Sequence, residues 1–117
     1  MADFSALIAR MDQQRTQWVA LPDAKRVQFM RPLETDFARF RAGVSVELIC
    51  ECVCGWEGFS EADLLGAAIG SSDPLPFDAA LWTRVARDRI EYMPPIAEAL
   101  VTSITEHLKA KDDVAKN

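Results

Sequence analysis

The chain has 117 residues, half of them apolar and 26% charged, with a formal net charge of −5. That length supports one hydrophobic core and not two, and the ordinary globular composition argues against a disordered or membrane-spanning protein, since no apolar run approaches the ~20 residues a bilayer span needs. Basic residues are scattered among acids, which argues against nucleic acid as a principal partner, because phosphate binding draws on clustered Lys and Arg.

The opening stretch "MADFSALIARMD" carries acids and an arginine within its apolar pattern, with neither a basic start nor a cleavage site, and does not read as a signal peptide. Residues 3–12 place Phe4, Leu7, Ile8 and Met11 at helical spacing behind a capping Asp3, which predicts a short amphipathic helix. Residues 16–30 read as two short strands around a Pro22-Asp23 turn, with Trp18, Val19 and Leu21 facing Val27, Phe29 and Met30. A two-stranded hairpin is marginal alone and must lean on helices or on a neighbouring subunit. Pro32 suits the first position of a helix over 32–41 with Leu33, Phe37 and Phe40 as its apolar stripe, and Gly43 ends it.

The stretch "ELICECVCGWEGF" holds all three cysteines at alternate positions. Zinc requires four converging ligands, commonly from two cysteine pairs, and the chain offers no second pair and a single histidine, His107, far away. A thioredoxin-like motif needs two residues between its cysteines, whereas these are separated by one and three. Free cysteine packs as a small hydrophobe, so Cys50, Cys52 and Cys54 read as filling, with a metal or redox site as the alternative. Three unpaired cysteines also fit a reducing cytoplasm. Alternation from Val46 to Trp56 fits a strand, while Val46, Ile49, Cys50 and Val53 at i, i+3, i+4 and i+7 fit a helix. A Ser45 N-cap and a Gly55 C-cap favour the helix over 45–54.

Further on, Ser60 and Asp63 have capping-box spacing before a short helix that ends near Gly66 or Gly70. "SSDPLPFD" is a loop. Asp78 caps a helix whose buried face is Leu81, Trp82, Val85, Ala86 and Ile90, and the Pro94-Pro95 pair breaks it and starts the last helix, striped by Ala97, Leu100, Val101, Ile104 and Leu108. "KAKDDVAKN" reads as a polar, frayed tail.

The motifs of an enzyme are missing from the sequence: it has no phosphate-binding glycine loop and no nucleophile elbow. His107 reads as a surface residue, Glu47 and Glu51 as a solvated helix face, and Arg84, Arg87 and Arg89 as partners in local ion pairs with Asp88 and Glu91. No catalytic residue, metal ligand or cofactor site is expected. What stands out is large apolar side chains near element ends. These ordinarily close a core; the alternative is a partner-binding surface, for which Trp56, Phe59, Phe77, Trp82 and Met93 are the candidates.

The order of these features, a hairpin running into "RPLETDFARF", then "CVCGWEGF", "SEADLL", "DPLPF", "PPIAEALVTSITEHL" and a terminal "KN", resembles the tail assembly chaperones of long-tailed bacteriophages and prophages over roughly residues 25–117. The resemblance implies a non-enzymatic protein of the host bacterial cytoplasm that coats the apolar tape-measure protein, keeps it soluble and promotes tail tube assembly. It also implies contact with the major tail tube protein, self-association, and loss from the mature virion. This chain would correspond to the shorter of two products made by frameshifting. The first 24 residues diverge, and the three cysteines are departures that the match does not explain. A chaperone of this kind needs an exposed apolar groove, to which Met11, Met30 and Met93 would lend adaptability. A small structural or adaptor protein of a phage particle is the alternative of another class, and a cysteine-based metal-binding protein a third. The expected fold is mainly α with a small N-terminal β-hairpin (α+β), about five helices in one compact domain over 1–117, with a helical core at 32–110 and a frayed tail at 111–117.

Overall fold

A computed structural model describes residues 2–116. It is mainly helical, with one antiparallel sheet of three strands. In chain order the elements are α1 (Ser5–Gln14), β1 (Thr16–Leu21), β2 (Lys25–Met30), a 3-10 segment (Glu34–Phe40), α2 (Val46–Cys52), β3 (Val53–Glu57), α3 (Glu61–Leu65), α4 (Ala79–Asp88), a second 3-10 turn (Ile90–Tyr92) and α5 (Met93–Ala115). No helix among the described residues is long and apolar enough to cross a membrane.

The expected hairpin forms, with Val19 opposite Val27 and Leu21 opposite Lys25. Its turn holds Asp23 and Ala24 at φ 64° and 60°. The hairpin gains a third strand where the sequence predicts helix. Ser45 does cap α2, accepting from the Leu48 amide at 3.2 Å, but the helix stops at Cys52 and the chain turns directly into β3. Gly55 is therefore a strand residue opposite Gln28, not a helix cap. Pairing with β2 slips between Gln28 and Phe29: Gly55 faces Gln28 while Val53 faces Phe29, which leaves Cys54 as an extra residue, a β-bulge. Strict alternation would send Val53 and Trp56 to opposite faces; the bulge lets both be buried while Cys54 is exposed.

Helices α2, α4 and α5 cover the inner face of the sheet. Val27, Phe29, Ile49, Phe59, Trp82, Tyr92, Ile96 and Leu100 are almost wholly buried between them, each worth about 1.5–3 kcal/mol in transfer terms. The outer face carries a polar row in which Arg26 lies 4.1 Å from the centre of the Trp18 ring and pairs with Glu57 at 2.7 Å. Local caps hold the short helices. Ser60 and Asp63 form the reciprocal capping box of α3, Gly66 at φ 110° ends it, and Asp78 accepts from the Leu81 amide at 2.9 Å to start α4.

Two more differences matter for the surface. Helix α5 runs on to Ala115, through the stretch predicted as a frayed tail. The segment after Pro32 is 3-10, not α, and is tied to α5 by Glu34, whose two oxygens accept from His107 and Lys111 at 2.7 Å each. His107, edge-on to Phe37, thus links two elements and is half-buried. The radius of gyration is 16.6 Å, against ~13 Å for a compact chain of this length. Helix α1 accounts for part of the excess, since it buries no residue at all.

Candidate partner-binding surface

The aromatic residues singled out from the sequence come together, but inside the protein. Trp56 stacks on Phe59 with centroids 4.3 Å apart, Phe77 meets Trp56 edge-on at 5.7 Å, and Phe59 meets Tyr92 edge-on at 6.0 Å. The indole of Trp56 donates to the Leu75 carbonyl at 2.9 Å, fastening the "DPLPF" loop to β3. Trp56, Phe59 and Trp82 are buried, while Phe77 and Met93 are half-buried against the same core. As an exposed patch the five candidates are therefore corrected: burial spends their apolar surface on core closure, and they position the surface without forming it. The Trp82 indole nitrogen is buried with no hydrogen-bond partner among the described residues, a cost offset by complete burial of the ring.

The cysteines diverge. Cys52 is buried, Cys50 is half-buried and Cys54 is exposed in the bulge. Burial pushes all three thiols upward, Cys52 to about 11, away from the thiolate form that metal binding and nucleophilic chemistry require. Among the described residues no group of three or more His, Cys, Asp or Glu is placed to hold a metal ion.

The charged residues of α2 and α4 also find partners that sequence spacing does not show. Glu51 pairs with Arg39 at 2.6 Å and Glu47 with Arg87 at 3.7 Å, so the two glutamates serve separate contacts. Arg89 donates to the Asp63 carbonyl at 2.9 Å, tying α4 to the end of α3 instead of pairing within its own helix.

Two grooves supply the apolar surface. The first, about 420 Å³, runs between α3 and α4; its floor is Leu64, Leu65, Leu75, Leu81 and Val85, and Glu61, Arg84, Asp88 and Arg89 stand on its rim. The exposed side chain of Leu65 lines it directly. The second, about 480 Å³, lies between the 3-10 segment and α5 and is lined by Phe37, Phe40, Val101, Ile104 and Leu108. Both are open troughs with an aliphatic or aromatic floor and polar edges, the form that accepts the apolar face of an amphipathic helix. The sequence marks Leu81, Val85, Val101, Ile104 and Leu108 as stripe residues but does not distinguish core from groove. That depends on where α3 and the 3-10 segment stop covering them.

Comparison of the chain with protein families, with curated proteins and with solved structures finds no match.

Proposed function

We propose that this chain is a non-enzymatic assembly chaperone of the long-tailed phage type. It covers apolar helical segments of a tape-measure protein, keeps that protein soluble and presents it to tail tube subunits in the host cytoplasm. The groove between α3 and α4 carries the reading: five aliphatic side chains in an open trough, with charges of both signs on the rim, suit many amphipathic helices and not one sequence. The net charge of −5 keeps a chaperone loaded with apolar cargo in solution through self-repulsion.

The test is co-expression with the tape-measure protein of the same phage or prophage. Wild-type chain should hold the partner in the soluble fraction and co-purify with it, whereas Leu65→Asp combined with Leu81→Asp should lose it. A partner that precipitates regardless, or that binds the double variant as well as wild type, overturns the proposal. Detection of the chain in purified virions would favour a structural adaptor instead.

A further inference from the structure

Helix α1 is an amphipathic element whose apolar side is largely uncovered, with Met11 alone bordering a cleft shared with Leu33 and Thr35. Phe4, Leu7, Ile8 and Met11 remain 61%, 52%, 57% and 58% exposed, and no residue of the helix is buried. A ten-residue helix is marginal in water without tertiary packing. Yet α1 is not loosely attached. It passes into β1 through Arg15 alone, and that residue is pinned on several sides. Its guanidinium donates to the Arg31 carbonyl, to Asp12 at 3.0 Å and to the Met30 sulfur at 3.0 Å, and its carbonyl accepts from the Arg31 amide at 2.7 Å. The corner holds the helix out at a set angle, which lowers the ordering cost of docking it.

We infer that α1 is a dimerisation arm that pairs antiparallel with α1 of a second copy of this chain, about a two-fold axis. Three observations select that occupant. First, the stripe is its own complement: the spacing of positions 4, 7, 8 and 11 reads the same in both directions. An antiparallel partner sets Phe4 over Met11 and Leu7 over Ile8, twice, as an isologous contact requires. Second, that orientation gives the flanking charges partners. Asp3, held at the N-terminal end of α1 by its bonds to Ser5, stands seven residues from Arg10 on one flank. Antiparallel pairing brings each Arg10 beside the other copy's Asp3. Among the described residues Arg10 has no ion-pair partner within the chain. Third, two copies of a protein with net charge −5 repel, and this is a region where they need not: across residues 2–21 the acids Asp3 and Asp12 are balanced by Arg10 and Arg15.

Four apolar side chains from each copy make a small contact, under the ~1,200 Å² of a stable complex, so association is weak and concentration-dependent. The inference stands apart from the groove-based reading of function, which concerns α3, α4 and α5. Sedimentation equilibrium of the full chain from about 10 μM to about 1 mM spans the range where such a contact operates. The mean mass should climb towards twice the monomer's, and Leu7→Asp should weaken association at least tenfold while leaving the melting temperature of dilute protein unchanged, since Leu7 lies outside the hydrophobic core of the monomer. The decisive arm mixes two charge variants. Arg10→Asp and Asp3→Lys should each associate less than wild type alone, and their equimolar mixture should recover the dimer, because each mismatched flank then meets its opposite. A chain that stays monomeric throughout overturns the proposal. So does a dimer indifferent to Leu7→Asp, which would place the contact elsewhere, for instance on the open edge of β1. A mixture no better than its components overturns the antiparallel arrangement and with it the inference.

Discussion

Gly58 stands against Ala24: a Cβ on Gly58 would lie 2.8 Å from the Ala24 carbonyl oxygen and 3.2 Å from the Lys25 Cα. The end of the "GWEG" stretch is thus packed directly on the hairpin turn, and Gly58 itself has φ +88°. Gly58→Ala should destabilise the protein by roughly 2–4 kcal/mol, combining the cost of a left-handed backbone with that of overpacking. Across the same contact, Ala24 at φ 60° is a non-glycine residue in the left-handed region. Ala24→Gly should stabilise by about 0.5 kcal/mol, strain relief exceeding the added entropy of the unfolded chain. Denaturant titration of both variants checks the pair; equal and negligible effects would refute the packing described.

Lys25 is a buried charge, 6% exposed, bonded to Asp63 at 3.0 Å and lying 5.7 Å from the centre of the Phe59 ring. Asp63 also completes the capping box of α3. Asp63→Ala should cost about 2–3 kcal/mol, since it removes a cap and leaves Lys25 buried without its carboxylate. Lys25→Met, which removes the charge and keeps the stem, should fall within about 1 kcal/mol of wild type. Urea midpoints that rank the two in the opposite order would contradict this account.

Acid should release the 3-10 segment from α5. Lys111 and His107 hold the Glu34 carboxyl at about 2, below its ordinary value of 4.5. A carboxyl lowered in the folded state contributes stability that is fully present above its unfolded pKa and disappears as pH falls through the folded one. The link should therefore weaken from pH ~4.5 downward and be gone near pH ~2. Hydrogen exchange at residues 34–40 should accelerate across that window in wild type, whereas Glu34→Gln should show the faster exchange at neutral pH and little further change.

Thiol reactivity should follow burial. At pH 8, iodoacetamide should modify Cys54 first, Cys50 more slowly, and Cys52, whose thiol is pushed to about 11, only on unfolding. Peptide mass spectrometry during the reaction gives the order. Replacement of Cys54 by Ser, at an exposed bulge, should change stability by no more than about 0.5 kcal/mol.

Much of the local structure is legible in the residues themselves. Ser45, Ser60 with Asp63, and Asp78 announce helix starts, and the structure uses each of them. The expected hairpin forms with Val19 opposite Val27, although Phe29 and Met30 face Gln17 and Thr16 instead of the apolar residues expected, and Pro94 and Pro95 open α5. The stretch 45–57 is harder, because a seven-residue helix and a bulged strand share it and neither period runs long enough to win. A bulge adds one residue to the count, so alternation read through Cys54 assigns the wrong faces beyond it.

The chain alone settled three helix N-caps (Ser45, Ser60 and Asp78), its hairpin turn and its charge balance, because each is satisfied within about four residues or summed without reference to shape, whereas the expected Asp3 and Gly55 caps do not form. Only the tertiary structure decided which apolar side chains are core, which line a groove and which stand bare on α1. Those outcomes rest on how distant surfaces meet: Phe59 is covered because the Leu75 loop and Tyr92 come to it, and Phe4 is exposed because nothing does.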